Sequence, residues 1–281
     1  MIRAGLDLRR ASYHDMCYLG RVNVRSLGLA TDLALAAFDG VIEHRGEYIV
    51  ARTPSNPHFY WGNFILFPEP PTDGVMARWL RIFEDEIGAA TPHRLFAWDH
   101  TDGRVGAVEP FLAEGFEVDS GTALTATSVT KPPHARDDLE VRPVRGDDEW
   151  AAATDLQVAA FTRRYEDKDM EAFVVPQMRR YRSLVEQGRG EWFGAFQGPR
   201  ILGTLGVFRA GDIGRFQLVG THPDAQGRGV CRTLVYEASR RTLEAGARTL
   251  VMCADTHYHA ARVYESVGFV PTEQIKGLLR A

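Results

Sequence analysis

The stretch Gln226-Gly227-Arg228-Gly229-Val230-Cys231 stands between an apolar run and an amphipathic helical pattern, and no other feature constrains the fold of this chain as much. Ahead of it, Phe216, Leu218 and Val219, followed by Gly220, Thr221, His222 and Pro223, predict a buried strand closed by a proline. Behind it, Val230, Leu234, Val235, Ala238 and Leu243 fall near one helical face, and Gly246 is placed to end that helix. A strand, a glycine-bearing turn and a helix start together make a site for a polyphosphate. The glycines let the backbone come close, and the free N–H groups of the first helical turn point at the anion with the helix dipole behind them. The spacing is not that of a Walker loop, which needs Gly-Lys-Ser/Thr, nor of a dinucleotide fingerprint.

Gln/Arg-x-x-Gly-x-Gly/Ala after a strand resembles the acyl-CoA pyrophosphate loop of the GNAT-type N-acetyltransferases. The second half of the resemblance lies downstream. His257, Tyr258, His259, Ala260, Ala261, Arg262, Val263, Tyr264, Glu265, Ser266, Val267, Gly268 and Phe269 are similar to that superfamily's later motif, a short helix carrying Ala and Tyr and ending in Gly-Phe. Residues 249–254 read as the buried strand between the two motifs. This chain departs from the family at Cys231, where Gly or Ala is preferred, and at His257, where Asn is common. A Cys side chain is small enough for a helix start. The resemblance implies an α/β (α+β) fold: a mixed, mostly antiparallel twisted sheet flanked by helices, with a splayed central strand.

At 281 residues the chain has room for one large domain or two ordinary ones. An apolar share of 44% and a charged share of 25% are those of a soluble globular protein. A net charge of −4 leaves no basic footprint, so neither nucleic acid nor an anionic membrane is expected as a partner. Nothing approaches a membrane-spanning apolar run, and the first residues do not read as a signal peptide. Cys17, Cys231 and Cys253 are widely spaced, which suits a reducing cytoplasm and offers no paired-cysteine metal motif.

Two short echoes predict an internal repeat. Leu6, Leu8 and Arg9 with Asp15 following parallel Leu139, Val141 and Arg142 with Asp148 following; Glu109, Phe111, Gly115 and Phe116 echo the Tyr264-to-Phe269 stretch. The expectation is tandem GNAT-like domains: 1–130 a degenerate copy, 131–138 a proline-rich charged linker, and 139–281 the catalytic copy. In the first copy, residues 58–67 read as the central strand, followed by Pro68, Glu69, Pro70, Pro71, Thr72, Asp73 and Gly74 where a phosphate loop belongs. Prolines remove N–H donors and the two carboxylates repel pyrophosphate. The position matching Tyr264 is Phe111, which has no proton to give.

Acyl transfer to an amine requires that the donor be held, the carbonyl polarised, the amine deprotonated and the leaving thiolate protonated. By resemblance, acetyl-CoA is the co-substrate, with no metal, and its contacts fall to Val219, Gly220, Thr221, Gln226, Gly227, Arg228, Gly229, Val230, Cys231 and His257. Tyr264 is then the candidate general acid. The general base is open. The central strand offers Arg215 and Gln217 but no carboxylate, which leaves His222, His257, His259, the acidic stretch 163–169, a water relay or the terminal carboxylate. The leading expectation is an acetyl-CoA-dependent N-acetyltransferase acting by direct attack on a primary amine of a small molecule, as a monomer or homodimer. A non-catalytic acyl-CoA-binding regulator is the rival. The tandem form also resembles mycothiol synthase, whose acceptor is a cysteinyl pseudo-disaccharide, and nothing in the sequence singles out that substrate.

Overall fold

The computed structural model describes residues 24–88, 91–165, 170–256 and 260–281. The stretch 6–11, Asp15, Cys17, the acidic residues 166–169, His257 and His259 lie outside the described residues. The chain runs α1 (Leu27–Ala36), β1 (Val41–His44), β2 (Ile49–Arg52), β3 (Phe64–Phe67), α2 (Met76–Glu86), β4 (Arg94–Trp98), α3 (Glu109–Ala113) and β5 (Glu117–Ala126). It continues through β6 (Glu140–Pro143), α4 (Gly146–Arg164), α5 (Glu171–Glu186), β7 (Gly190–Gln197), β8 (Arg200–Ala210) and β9 (Ile213–Thr221). It closes with α6 (Val230–Glu244), β10 (Thr249–Asp255), α7 (Ala260–Glu265) and β11 (Val270–Arg280).

All eleven strands form one sheet in the order β1-β2-β3-β4-β11-β5-β10-β9-β8-β7-β6. Among the described strand pairs, only β3–β4 and β9–β10 are parallel. The two halves of the chain exchange strands at the middle: β5 lies between β10 and β11, and β11 lies between β4 and β5. Strand alternation sends side chains to opposite faces. Leu124 of β5 joins the cluster under α6 and α7, whereas Ala123 joins the one under α1. On the same face as α1, helices α4 and α5 cover Trp192 and Phe208. Helices α2 and α3 cover Phe67, Phe96 and Trp98.

Helix α1 is apolar nearly all round and buried from Gly28 to Ala36, as a helix laid across the centre of a fold must be. Both of its ends are held from other elements. The Glu273 carboxylate of β11 accepts from the N–H groups of Leu27 and Gly28 at 2.8 and 3.1 Å, and Asp99 accepts from the Ser26 N–H at 2.9 Å. At the other end Arg180 of α5 donates to the Leu35 carbonyl at 2.6 Å. In its middle, Asp32 pairs with Arg215 of β9 at 2.7 Å, both buried. Burial opposes the charge on Arg215, and the Asp32 carboxylate outweighs it and keeps the guanidinium protonated.

The expected strand over 58–67 is shorter than its pattern suggests. Residues 60–62 form a 3₁₀ turn, because the Asn63 amide donates to the carbonyls of Asn56 and Phe59 and accepts from the Thr53 N–H. Only Phe64–Phe67 pairs as strand. The proline-rich segment 131–138 packs closely against α6: Thr233 accepts from the Arg136 N–H at 2.8 Å, and Arg232 donates to the Pro133 carbonyl at 3.1 Å.

Candidate active site

Strands β9 and β10 pair only at Ile213–Thr249, Gly214–Leu250 and Arg215–Val251. Beyond that point they part. Residues 216–221 of β9 and 252–255 of β10 therefore face a fork with their inner edges unpaired, although β8 and β5 hold the outer edges. A backbone edge without a partner strand is a template for an extended, amide-bearing ligand. The equivalent pair in the N-terminal half shows no fork. Strands β3 and β4 stay in register to Phe67–Trp98, the Asp99 N–H donates to the Phe67 carbonyl at 2.8 Å, and Trp79 stacks on Phe67 at 3.9 Å.

A bulge opens β9. The β8–β9 register slips between Thr204 and Gly206, and Leu218 takes a φ of 43°, a left-handed value that side chains with a Cβ resist. The fully buried Gln157 of α4 holds it there, with Nε2 donating to the Leu218 carbonyl at 2.5 Å and to Thr204 Oγ1 at 2.7 Å. Gly220 has to be glycine, since a Cβ there would lie 2.6 Å from Gln157 Oε1. Val219 and Thr221 are half-buried on the same edge.

The fork ends on the glycine turn. Pro223–Ala225 make one 3₁₀ turn, capped by His222, whose Nδ1 accepts from the Asp224 N–H at 3.2 Å. His222 is engaged with the turn through this bond. Gly227 and Gly229 adopt φ values of 72° and 78°, and Gly229 caps α6 directly. Left-handed residues on either side of Arg228 curl the backbone of the turn into a concavity, which here adjoins the unpaired N–H groups of the first turn of α6. At Gly229 a Cβ would also meet the His134 carbonyl at 2.9 Å. Gln226 and Arg228 are exposed at the rim, and Val230 is buried. Burial pushes the Cys231 thiol up to about 11, so it packs at the helix start as a neutral side chain.

Tyr264 is buried on α7, against β10 and in the cluster with Val267 and Phe269. Its carbonyl accepts from the N–H groups of Val267 and Phe269 at 3.0 and 3.2 Å. Phe111 repeats this in the N-terminal half, accepting from Glu114 and Phe116, each at 3.0 Å.

One residue that the sequence did not single out stands near the far end of the fork. Asp119 lies on β5, two positions from Gly121, which pairs with Asp255. Burial and the neighbouring Asp255 raise its pKa, against the opposing pull of Trp61 and Lys276. Nothing local in the sequence marks it, because β5 reaches β10 only through the exchange of strands. Between α4, α5 and the 3₁₀ turn a cavity of about 690 Å³ opens, lined by Asp155, Val158, Thr162, Glu171, Val175 and Pro223, a size suited to a small molecule.

Residues 150–269 match the model of the acetyltransferase (GNAT) family. Among solved structures, the chain is similar to a functionally unknown conserved protein from Staphylococcus epidermidis, at 17% identity and a TM-score of 0.67, covering 86% of this chain and 94% of that one. It is also similar to a GCN5-related N-acetyltransferase from Kribbella flavida, at 13% identity and a TM-score of 0.61, covering 90% and 95%. A third, a GCN5-related N-acetyltransferase from Sphaerobacter thermophilus, has 15% identity and a TM-score of 0.56, covering 89% and 85%. At these identities the likeness is one of fold. No curated protein matches by sequence. A forked parallel pair running into a glycine-capped helix, within a family-model match, defines an acyltransferase. Residues 150–269 are an acetyltransferase (GNAT) domain.

Proposed function

We propose that this protein is an acetyl-CoA-dependent N-acetyltransferase that modifies a primary amine of a small molecule by direct attack in a ternary complex. The fork between β9 and β10, ending on the two left-handed glycines, is the observation that carries this reading. It offers unpaired backbone at Val219, Gly220 and Thr221 to the pantetheine arm. The concavity from Gln226 to Cys231 receives the pyrophosphate, the exposed Arg228 pairs with a phosphate, and His257 contacts the arm. The amine nitrogen attacks the thioester carbon and the C–S bond breaks. Tyr264 protonates the leaving thiolate, and the amine proton leaves through a water relay whose proposed end point is Asp119, beside Asp255 at the open end of the fork. The products are the amide and free CoA.

In this reading residues 139–281 are the working copy, joined through 131–138 to a degenerate copy at 1–130. The closed β3–β4 pair, its Phe67–Trp79 filling and Phe111 in place of a tyrosine support a single site per chain. Calorimetric titration of the purified protein with acetyl-CoA tests this. One site per chain, lost in Gly229→Glu, is expected. Two sites would overturn the degenerate copy, and no binding would overturn the acetyltransferase reading.

A further inference from the structure

A run of polar side chains lies between the N-terminal half and the fork. Asn56 Nδ2 donates to the Phe173 carbonyl at 3.2 Å, and a carbonyl can only accept. Its Oδ1 accepts from the His58 N–H at 3.2 Å, so this amide cannot be reversed. The same Nδ2 donates to Gln177 Oε1 at 3.0 Å. Gln177 Nε2 is buried and makes no hydrogen bond of its own. On the same helix, Tyr181 donates to Gln217 Oε1 at 2.7 Å. Burial pushes Tyr181 up to about 12, so it remains a donor throughout the working pH range. With Oε1 occupied, Gln217 keeps Nε2, a donor with no partner among the described residues. Gln217 is half-buried and sits between Arg215, the last residue of β9 paired to β10, and the bulged Leu218.

We infer that Gln217 is a specificity-determining residue for the acceptor, donating to an oxygen on the amine substrate. This rests on the acetyl-transfer reading above. The substrate class it selects is amines that carry a hydroxyl, carbonyl or carboxylate oxygen close to the nitrogen. An alkylamine leaves a desolvated N–H unpaired, and a polyamine sets a second cation against an amide donor. Tyr181 is the positioning residue that keeps the amide the right way round. The test measures CoA release by the full chain with acetyl-CoA and two matched pairs of amines, ethanolamine against propylamine and glycinamide against butylamine, with putrescine alongside. The oxygenated partner is expected to have at least about tenfold higher kcat/KM. Gln217→Leu should abolish that ratio, and Gln217→Glu should favour putrescine. Tyr181→Phe, which frees the amide to turn over, should narrow the ratio with acetyl-CoA affinity unchanged. A ratio within one preparation does not depend on how much of it is folded. Ratios near one in the unaltered protein, or unchanged in Gln217→Leu, would overturn the inference. Acetyl-CoA binding without transfer to any amine would instead overturn the acetyl-transfer reading, and the inference falls with it.

Discussion

Burial sorts the ionisable side chains around the fork into those that keep a proton and those that can take one. Tyr264 is buried in the cluster with Val267 and Phe269, and it is the proton donor in the proposed transfer. Tyr264→Phe keeps the packing and removes the proton. We expect kcat to fall roughly 10²- to 10⁴-fold with acetyl-CoA affinity retained, the range typical of a lost general acid. Unchanged turnover would assign the proton to another group. Asp119 faces the other way: its raised pKa places the acidic limb of kcat/KM above the ordinary carboxylate value of 3.8. The rate falls as the pH drops through that limb, because the base must be ionised to accept a proton. Asp119→Asn should remove the limb along with most of the rate, and a profile that keeps it would show that the limb belongs elsewhere. Neither Asp119 nor Gln217 could be assigned from sequence, since the partners that define them, Asp255, Trp61 and Tyr181, are brought in from other segments.

Among the elements, β9 is held in a conformation its own sequence disfavours. A leucine at a φ of 43° costs about 1–3 kcal/mol and persists only where the surroundings over-determine it. Gln157 supplies that constraint from α4. Gln157→Leu leaves the Leu218 carbonyl and Thr204 hydroxyl without their donor, and should cost about 1–3 kcal/mol in a denaturant titration and weaken acetyl-CoA binding. Unaltered stability and affinity would mean the bulge holds itself. The strand, turn and helix over 213–244 could be read from sequence because each cue is local: an apolar run, a proline, two glycines and a 3.6-residue stripe. The pattern over 58–67 misleads for the opposite reason. Its apolar content is strand-like, and the Asn63 amide, bonding back to Asn56 and Phe59, bends residues 60–62 into a turn.

At the scale of the whole molecule the exchange of β5 and β11 decides how the chain can fold, and strand periodicity is silent on it, because alternation names a face and never a neighbour. β5 gives its two edges to β10 and β11, both from the C-terminal half; β11 in turn separates β4 from β5. Helix α1 adds to the interlock through Glu273, Arg180 and the buried Asp32–Arg215 pair. A chain cut between 130 and 131 therefore leaves the fragment 131–281 with β10 and β11 exposing long unpaired edges beside the fork, a state prone to aggregation. The fragment 1–130 loses the strand that lies between β4 and β5. Neither fragment alone should bind acetyl-CoA or show a cooperative unfolding transition, whereas co-expressed fragments should purify together in equal amounts and recover binding. The intact chain should unfold in one transition, because no cut through the sheet separates two independently closed cores. A monomeric 131–281 fragment with the affinity of the full chain would show that β5 is dispensable to the site, and Asp119, carried on β5, would then lose its place in the mechanism.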